Sequence, residues 1–271
     1  MVFLLGGFIL LVIFCIAFLI YMKNIANENN VKYELFYFPN FPSSIHEITL
    51  FFISDIHRRT IDDTIINEVI DVAELVIIGG DLLEKGVNLE QTRENLRKLK
   101  QIGPVYFVWG NNDYEIDRDA LESLLNEEDI VLLDNKAVSF MSSNGEGWSL
   151  IGVEDYSLEY DDLETALQQV ENNSFKILIS HNPKIIEELD EENQISLVLS
   201  GHTHGGQIRI FGFGPYELGG TKLIGKTTLF VSNGYGTTSI PLRLGAKPET
   251  HIIRIQHKQN EEEMKFFKPT V

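Results

Sequence analysis

Apolar and polar positions divide the chain into three regimes. The first is residues 2–22, V-F-L-L-G-G-F-I-L-L-V-I-F-C-I-A-F-L-I-Y-M, which carry no charge. As a helix this run spans about 31 Å at 1.5 Å per residue, enough to cross a bilayer core. It predicts an uncleaved transmembrane anchor over 1–23. A secretory signal would begin with basic residues, hold a shorter apolar core and end on a small-residue cleavage site. No Lys or Arg precedes the run and no such site follows it. Cys15 lies mid-segment behind Phe14, a poor position for lipid attachment. The plain alternative is a buried core helix. Lys23 and Lys32 follow the segment, and the positive-inside rule then puts the C-terminal body in the cytoplasm.

The second regime alternates short apolar runs with amphipathic stretches. Residues 24–45 hold a linker and a first strand, Val31–Phe38, which Pro39 and Pro42 end. The main body is expected over 46–257. Its run 48–53 (I-T-L-F-F-I) is a buried strand. Ile65, Ile66, Val69, Ile70 and Ala73 form a helical stripe over 62–74. Leu75–Ile78 is a strand, 89–102 a helix stopped by Gly103 and Pro104, and 105–108 a strand. This alternation predicts βαβ units and a largely parallel sheet. Further helices are expected at 117–128, 161–171 and 183–192. Further strands are expected at 130–133, 137–141, 148–153, Phe175–Ile179 and 196–199, with a hairpin turn at 143–147 (S-N-G-E-G).

The third regime starts at Gly205. Glycines crowd the chain, no helix pattern appears, and the best strands are 207–211, 228–231 and 250–256. A tail, 258–271, carries an acidic triplet at 261–263 and the pair Phe266–Phe267.

Charge narrows the function. A net charge of -18 argues against nucleic acid as a partner and against bulk attraction to anionic lipid. A site for a phosphorylated substrate therefore needs local positive charge, and metal ions supply it economically. A single cysteine excludes an internal disulfide.

The chemistry sits in five polar stretches, each following an apolar strand. They are S-D-I-H (Asp55, His57), G-G-D-L-L-E (Asp81, Glu84), W-G-N-N-D (Asn111, Asn112, Asp113), S-H-N-P (His181) and S-G-H-T-H-G-G (His202, His204). Alone, each Asp or Asn reads as a cap or turn residue, and a lone His as a structural one. Together they converge, because parallel strands end on one edge. His46, His251 and His257 lie elsewhere and read as surface or satisfied groups. In D-x-H and H-x-H, extended backbone would point both side chains the same way. Imidazoles, carboxylates and an amide carbonyl without thiolate suit manganese, iron or zinc. Seven ligands exceed one ion with open positions, so two divalent ions sharing a carboxylate is the natural count.

The order D-x-H, G-D-x-x-E, G-N-x-D, H, G-H-x-H resembles the calcineurin-like metallophosphoesterase family. The segments G-H-T-H-G-G-Q-I-R and S-N-G-Y-G-T-T-S-I-P-L-R-L look like its bacterial membrane-associated branch, which includes hydrolases of lipid-linked sugar nucleotides. The resemblance implies an α/β fold of two packed mixed β-sheets flanked by helices, an α/β/β/α sandwich. It implies one metal on Asp55, His57, Asp81 and His204, and another on Asp81, Asn111, His181 and His202. A bridging hydroxide would attack phosphorus in a phosphodiester, pyrophosphate or activated phosphomonoester, on a small-molecule or lipid-linked substrate. Asn112 and Asp113 are the catalytic candidates. The family usually has histidine at position 112, where it contacts phosphate and protonates the leaving group. Asparagine can donate a hydrogen bond but cannot deliver a proton, so leaving groups needing little protonation are favoured. Arg58 and Arg59 are candidate phosphate contacts, Arg209 and Arg243 pocket-shaping residues, and Glu84 structural. Gly79, Gly110 and Gly201 are read as permitting tight turns. The rival reading is a non-catalytic metal-binding scaffold that uses the fold for protein interaction.

Overall fold

A computed structural model describes residues 2–171 and 174–258. The tail at 261–263 and the Phe266–Phe267 pair lie outside the described residues. Two six-stranded mixed sheets face each other. The first runs β1 (Val31–Phe38), β12 (Thr250–His257), β2 (Glu47–Ile53), β3 (Leu75–Ile78), β4 (Val105–Phe107), β5 (Val131–Leu132). The second runs β10 (Gly220–Ile224), β11 (Thr227–Val231), β9 (Ile195–Ser200), β8 (Phe175–Ile179), β7 (Gly147–Gly152), β6 (Lys136–Met141). Strands β2, β3, β4 and β5 are parallel, as the alternating pattern predicts.

Side-chain alternation builds the layers. In β2, Leu50 and Phe52 enter the core between the sheets, where they join Phe175, Leu197 and Phe230. Their neighbours Phe51 and Ile53 enter a second core on the opposite face of the sheet. That core is closed by α2 (Asp63–Val69), α3 (Leu89–Leu99) and α4 (Arg118–Glu127). In β9, Leu197 and Leu199 face the first sheet, while Val198 faces a third core under α5 (Leu163–Leu167). Both faces of the central strands of each sheet are thus buried, which is why these strands read as continuous apolar runs.

Several expectations are corrected. The 161–171 helix shrinks to Leu163–Leu167, and 183–192 is a 3-10 turn over Pro183–Glu188. Residues 207–211 do not form a strand. Gln207 (φ 48°), Phe211 (φ 53°) and Gly212 (φ 85°) adopt left-handed backbone that no ladder accommodates. The segment makes only isolated bridges, Ile208 to Leu244 and Gly245, and Ile210 to Phe213. Strand β10 was not expected. It is exposed throughout, so its apolar residues lack the alternation of a half-buried strand. The 143–147 turn does join β6 to β7, with Ser142 N–H donating to the Glu146 carbonyl at 2.8 Å.

Helix α1 (Val2–Ala26) leaves its apolar residues from Phe3 to Tyr21 on the surface. Its last turn docks on the body. Met22, Ile25 and Ala26 are buried, and Arg243 N–H donates to the Met22 carbonyl at 3.1 Å. Arg59 straps the following loop. Its guanidinium donates to the carbonyls of Asn27 and Glu28 and stacks on Tyr235, 3.7 Å from the ring centroid.

Candidate metal centre

The five polar stretches meet where β2, β3, β4, β8 and β9 end. The backbone there is not extended. Asp55, His57, Asp81, His202 and His204 all have φ between 49° and 70°. Side chains in D-x-H and H-x-H therefore converge through left-handed loop residues, not through the strand alternation that the sequence suggests. Left-handed backbone costs non-glycine residues on the order of 1–3 kcal/mol each and clusters at functional sites. Hydrogen bonds hold it here. Asp55 N–H donates to the Gly80 carbonyl at 3.0 Å, and Ile56 and His57 N–H groups to the Asp81 carbonyl at 2.8 and 3.1 Å.

Two overlapping ligand groups result. Asp55, His57 and His204 form one, and Asp55, Asp81 and His181 the other. His57 Nε2 lies 3.1 Å from His204 Nε2, and His204 Nε2 lies 3.3 Å from Asp55 Oδ1. Oδ2 of Asp81 is 3.6 Å from His57 Nε2 and 3.3 Å from His181 Nε2, so it stands between both groups. Asn111 Oδ1 and His181 Nε2 are buried without a hydrogen bond among the described residues. Native interiors seldom leave such atoms unsatisfied, and a coordinated cation is one thing that satisfies them. The donor set of imidazole nitrogens, carboxylate oxygens and an amide oxygen fits divalent manganese, iron or zinc. His202 joins neither group. Its ring packs edge-on against His181, with centroids 5.0 Å apart, at the wall of the cleft.

His57, His181 and His204 each have a partner behind the ring, as metal-binding imidazoles generally do. His181 Nδ1 lies 2.8 Å from the Gly79 carbonyl. His57 Nδ1 lies 3.0 Å from Glu84 Oε2, an ion-pair contact off hydrogen-bond alignment, and Arg58 holds the other Glu84 oxygen. Arg243 is fully buried, with Nη2 3.1 Å from His204 Nδ1, and it donates to the carbonyls of Asn233, Gly234 and Gly236. Charges follow this layout. Burial lowers His181, but the facing Asp81 and Asp55 outweigh it and raise its pKa to about 10. Burial and the neighbouring His181 push His202 down to about 4. Burial, His57 and Arg243 hold His204 well below its ordinary value.

The third stretch splits by residue. Asn112 lines the cleft. Its backbone N–H donates to Asp81 Oδ1 at 2.8 Å and its amide to Glu115 Oε1 at 3.0 Å. Asp113, expected to be catalytic, is instead buried behind the loops. Its carboxylate accepts from the N–H groups of Asp81 (2.8 Å), Gly110 (2.8 Å) and Leu83 (3.1 Å). Burial and then the charge of Asp81 raise its pKa to about 7. Neither Gly110 nor Gly201 has a positive φ. A Cβ on Gly110 would collide with Asp81, and one on Gly201 with Asp55 and Ser54, so glycine there supplies room. Arg59 and Arg209 bind backbone carbonyls and do not line the cleft over the ligands.

The cleft over the ligands holds about 350 Å³ and is lined by Asp81, Asn111, Asn112, His202, His204, Pro215, Tyr216 and Ile240. A wider space of about 790 Å³ adjoins it across His202, Thr203 and Tyr216, and is lined by Tyr156, Asn182 and Lys184. Sequence reasoning missed Tyr156, Lys184 and Tyr216, whose residue types carry no ligand or motif signal, and did not single out Ile240 within the 232–244 segment.

Comparison with known proteins agrees with this geometry. The calcineurin-like phosphoesterase family matches residues 48–206. YpbG of Bacillus subtilis is 47% identical over 210 residues, covering 77% of this chain and 81% of YpbG. A transmembrane protein with metallophosphoesterase domain from Danio rerio is 31% identical over 236 residues, covering 78% of this chain and 54% of that protein. In fold, the chain is similar to the NAD nucleotidase NadN of Haemophilus influenzae, with a TM-score of 0.51 and 17% identity over 70% of this chain and 46% of NadN. The match from 48 to 206 spans all five polar stretches, and the chain belongs to the calcineurin-like phosphoesterase family.

Proposed function

We propose that this chain is a membrane-anchored, dinuclear metal-dependent phosphoesterase. The observation that carries the reading is the unsatisfied, buried donor set: Asn111 Oδ1 and His181 Nε2 open beside the Asp55–His57–His204 and Asp55–Asp81–His181 groups. In this reading Asp55, His57, Asp81 and His204 hold one divalent cation. Asp81, Asn111, His181 and His202 hold the other, with Asp81 shared. The pair would supply Lewis acidity and an activated water to a phosphoryl centre.

The chain's own residues do the rest. Glu84, the Gly79 carbonyl and Arg243 fix the three imidazoles. Asp113 ties the second and third loops together from behind. Asn112 presents an amide to the cleft, where it donates a hydrogen bond to a phosphate oxygen but transfers no proton. Lys184 places a cation in the wider space next to His202, suited to a second phosphate. Substrates with stable leaving groups fit this arrangement best: a phosphate anhydride, an aryl phosphodiester or an activated monoester. Helix α1, 25 residues long and uncharged up to Lys23, supports a single-pass anchor. The lysines after it favour a cytoplasmic body.

Full-length protein in detergent, loaded with manganese, is expected to hydrolyse bis-(p-nitrophenyl) phosphate, and Asp81→Asn to abolish it. A folded, metal-loaded protein that turns over no aryl phosphodiester, anhydride or monoester would replace this reading with the scaffold one.

A further inference from the structure

The loop after His204 turns its apolar side chains outward. Ile210 is 61% exposed, Phe213 82% and Phe211 96%. Its polar side is turned in. Arg209 donates to the carbonyls of Gly205 (2.9 Å), Gly212 (2.6 Å) and Tyr216, and Ile210 and Phe213 exchange backbone hydrogen bonds at 2.9 and 3.0 Å. The tip is thus a small rigid hairpin. Phe211 is held at a φ of 53°, which costs a bulky residue on the order of 1–2 kcal/mol. Strain combined with near-complete exposure of an aromatic ring has no rationale in water.

The base of this hairpin lies beside the end of α1. Arg209 N–H donates to the Leu244 carbonyl at 2.7 Å, and Arg243 N–H to the Met22 carbonyl at 3.1 Å. From Ile208 to Phe211 the chain reaches at most about 10 Å, comparable to the interfacial layer of a bilayer. The charge of the region also differs from that of the body. Outside the buried Arg243, residues 205–245 carry three basic residues (Arg209, Lys222, Lys226) and one acidic (Glu217), in a chain of net charge -18. Ile240, 48% exposed, continues the apolar surface onto the wall of the metal-site cleft.

We infer that the 208–218 hairpin, together with Ile240, is a second membrane contact, set among the lipid headgroups where α1 leaves the bilayer. This rests on reading α1 as an anchor. It holds the cleft at the lipid surface and admits amphiphilic phosphoesters whose apolar part stays in the leaflet.

The test uses full-length protein with Cys15→Ser, carrying either Phe211→Cys or Asp119→Cys. Asp119 is exposed on α4, beside the sheet edge farthest from β1. Each thiol is labelled with bimane and the protein placed in phosphatidylcholine–phosphatidylglycerol vesicles containing doxyl-labelled lipid. Expected are co-flotation with vesicles and severalfold stronger doxyl quenching at 211 than at 119. Flotation with equal, weak quenching at both sites overturns the inference and leaves the anchor standing. Shielding of 211 from aqueous iodide without doxyl quenching also overturns it, in favour of a second copy of the chain on this face. Failure to float removes the anchor reading and this inference with it.

Discussion

The backbone N–H of Asn112 donates to Oδ1 of Asp81 at 2.8 Å, while Oδ2 of Asp81 faces His57 and His181. The bond uses the main chain, so the side chain at position 112 can change without releasing Asp81. Asn112→His should therefore keep metal content and add a general acid, worth roughly 10²–10⁴-fold where the leaving group needs a proton. Turnover on alkyl phosphodiesters should rise far more than on p-nitrophenyl esters. Equal gains on both would show that protonation does not limit this enzyme.

Asp113 joins three backbone N–H groups of the second and third loops. Asn keeps one acceptor oxygen and turns an N–H₂ toward donors, which leaves a buried clash of like groups. Asp113→Asn should weaken metal binding by about 10–100-fold, the usual cost of disturbing a support behind a ligand. Calorimetric titration with manganese reads this, and wild-type affinity in the variant would rule out the positioning role.

Gly110 has no space for a methyl group, because its Cβ direction points at the Asp81 backbone N and Oδ1. Gly110→Ala should displace Asp81 and abolish metal binding at one site at least, while circular dichroism still reports the sandwich. Full metal occupancy in the alanine variant would contradict the close approach described here.

His181 sets a pH dependence. Its folded pKa of about 10 lies above the unfolded value of about 6.5. Protonation thus stabilises the chelator-treated protein fully below pH 6.5, and this contribution is lost as pH rises toward 10. A cation must displace that proton, so metal affinity should rise about tenfold per pH unit over the same window. The melting temperature of chelated wild type relative to chelated His181→Gln should fall from pH 6.5 to 9. A difference independent of pH would place the charge elsewhere.

Much of this was legible in the sequence because its physics is local. The continuous apolar runs at 48–53 and 75–78 announce strands buried on both faces, and the five polar stretches after strands announce a converging site. What escaped has no local signature. The contact between Arg243 and His204 joins positions 39 apart, and a buried arginine looks like any other in sequence. The run 207–211 has strand composition, yet Gln207 and Phe211 are left-handed because Arg209 and the Ile210–Phe213 bridge impose a hairpin. The acid at position 113 sits where a catalytic residue could stand, and only its three backbone donors reveal a brace.

The central claim is a paired metal centre that performs phosphoester hydrolysis. Its most direct test is stepwise manganese titration of chelated full-length protein, with bound metal and bis-(p-nitrophenyl) phosphate turnover measured on the same samples. The account predicts two equivalents bound per chain and activity that rises with the second. Saturation at one equivalent, or full occupancy without hydrolysis, would contradict it.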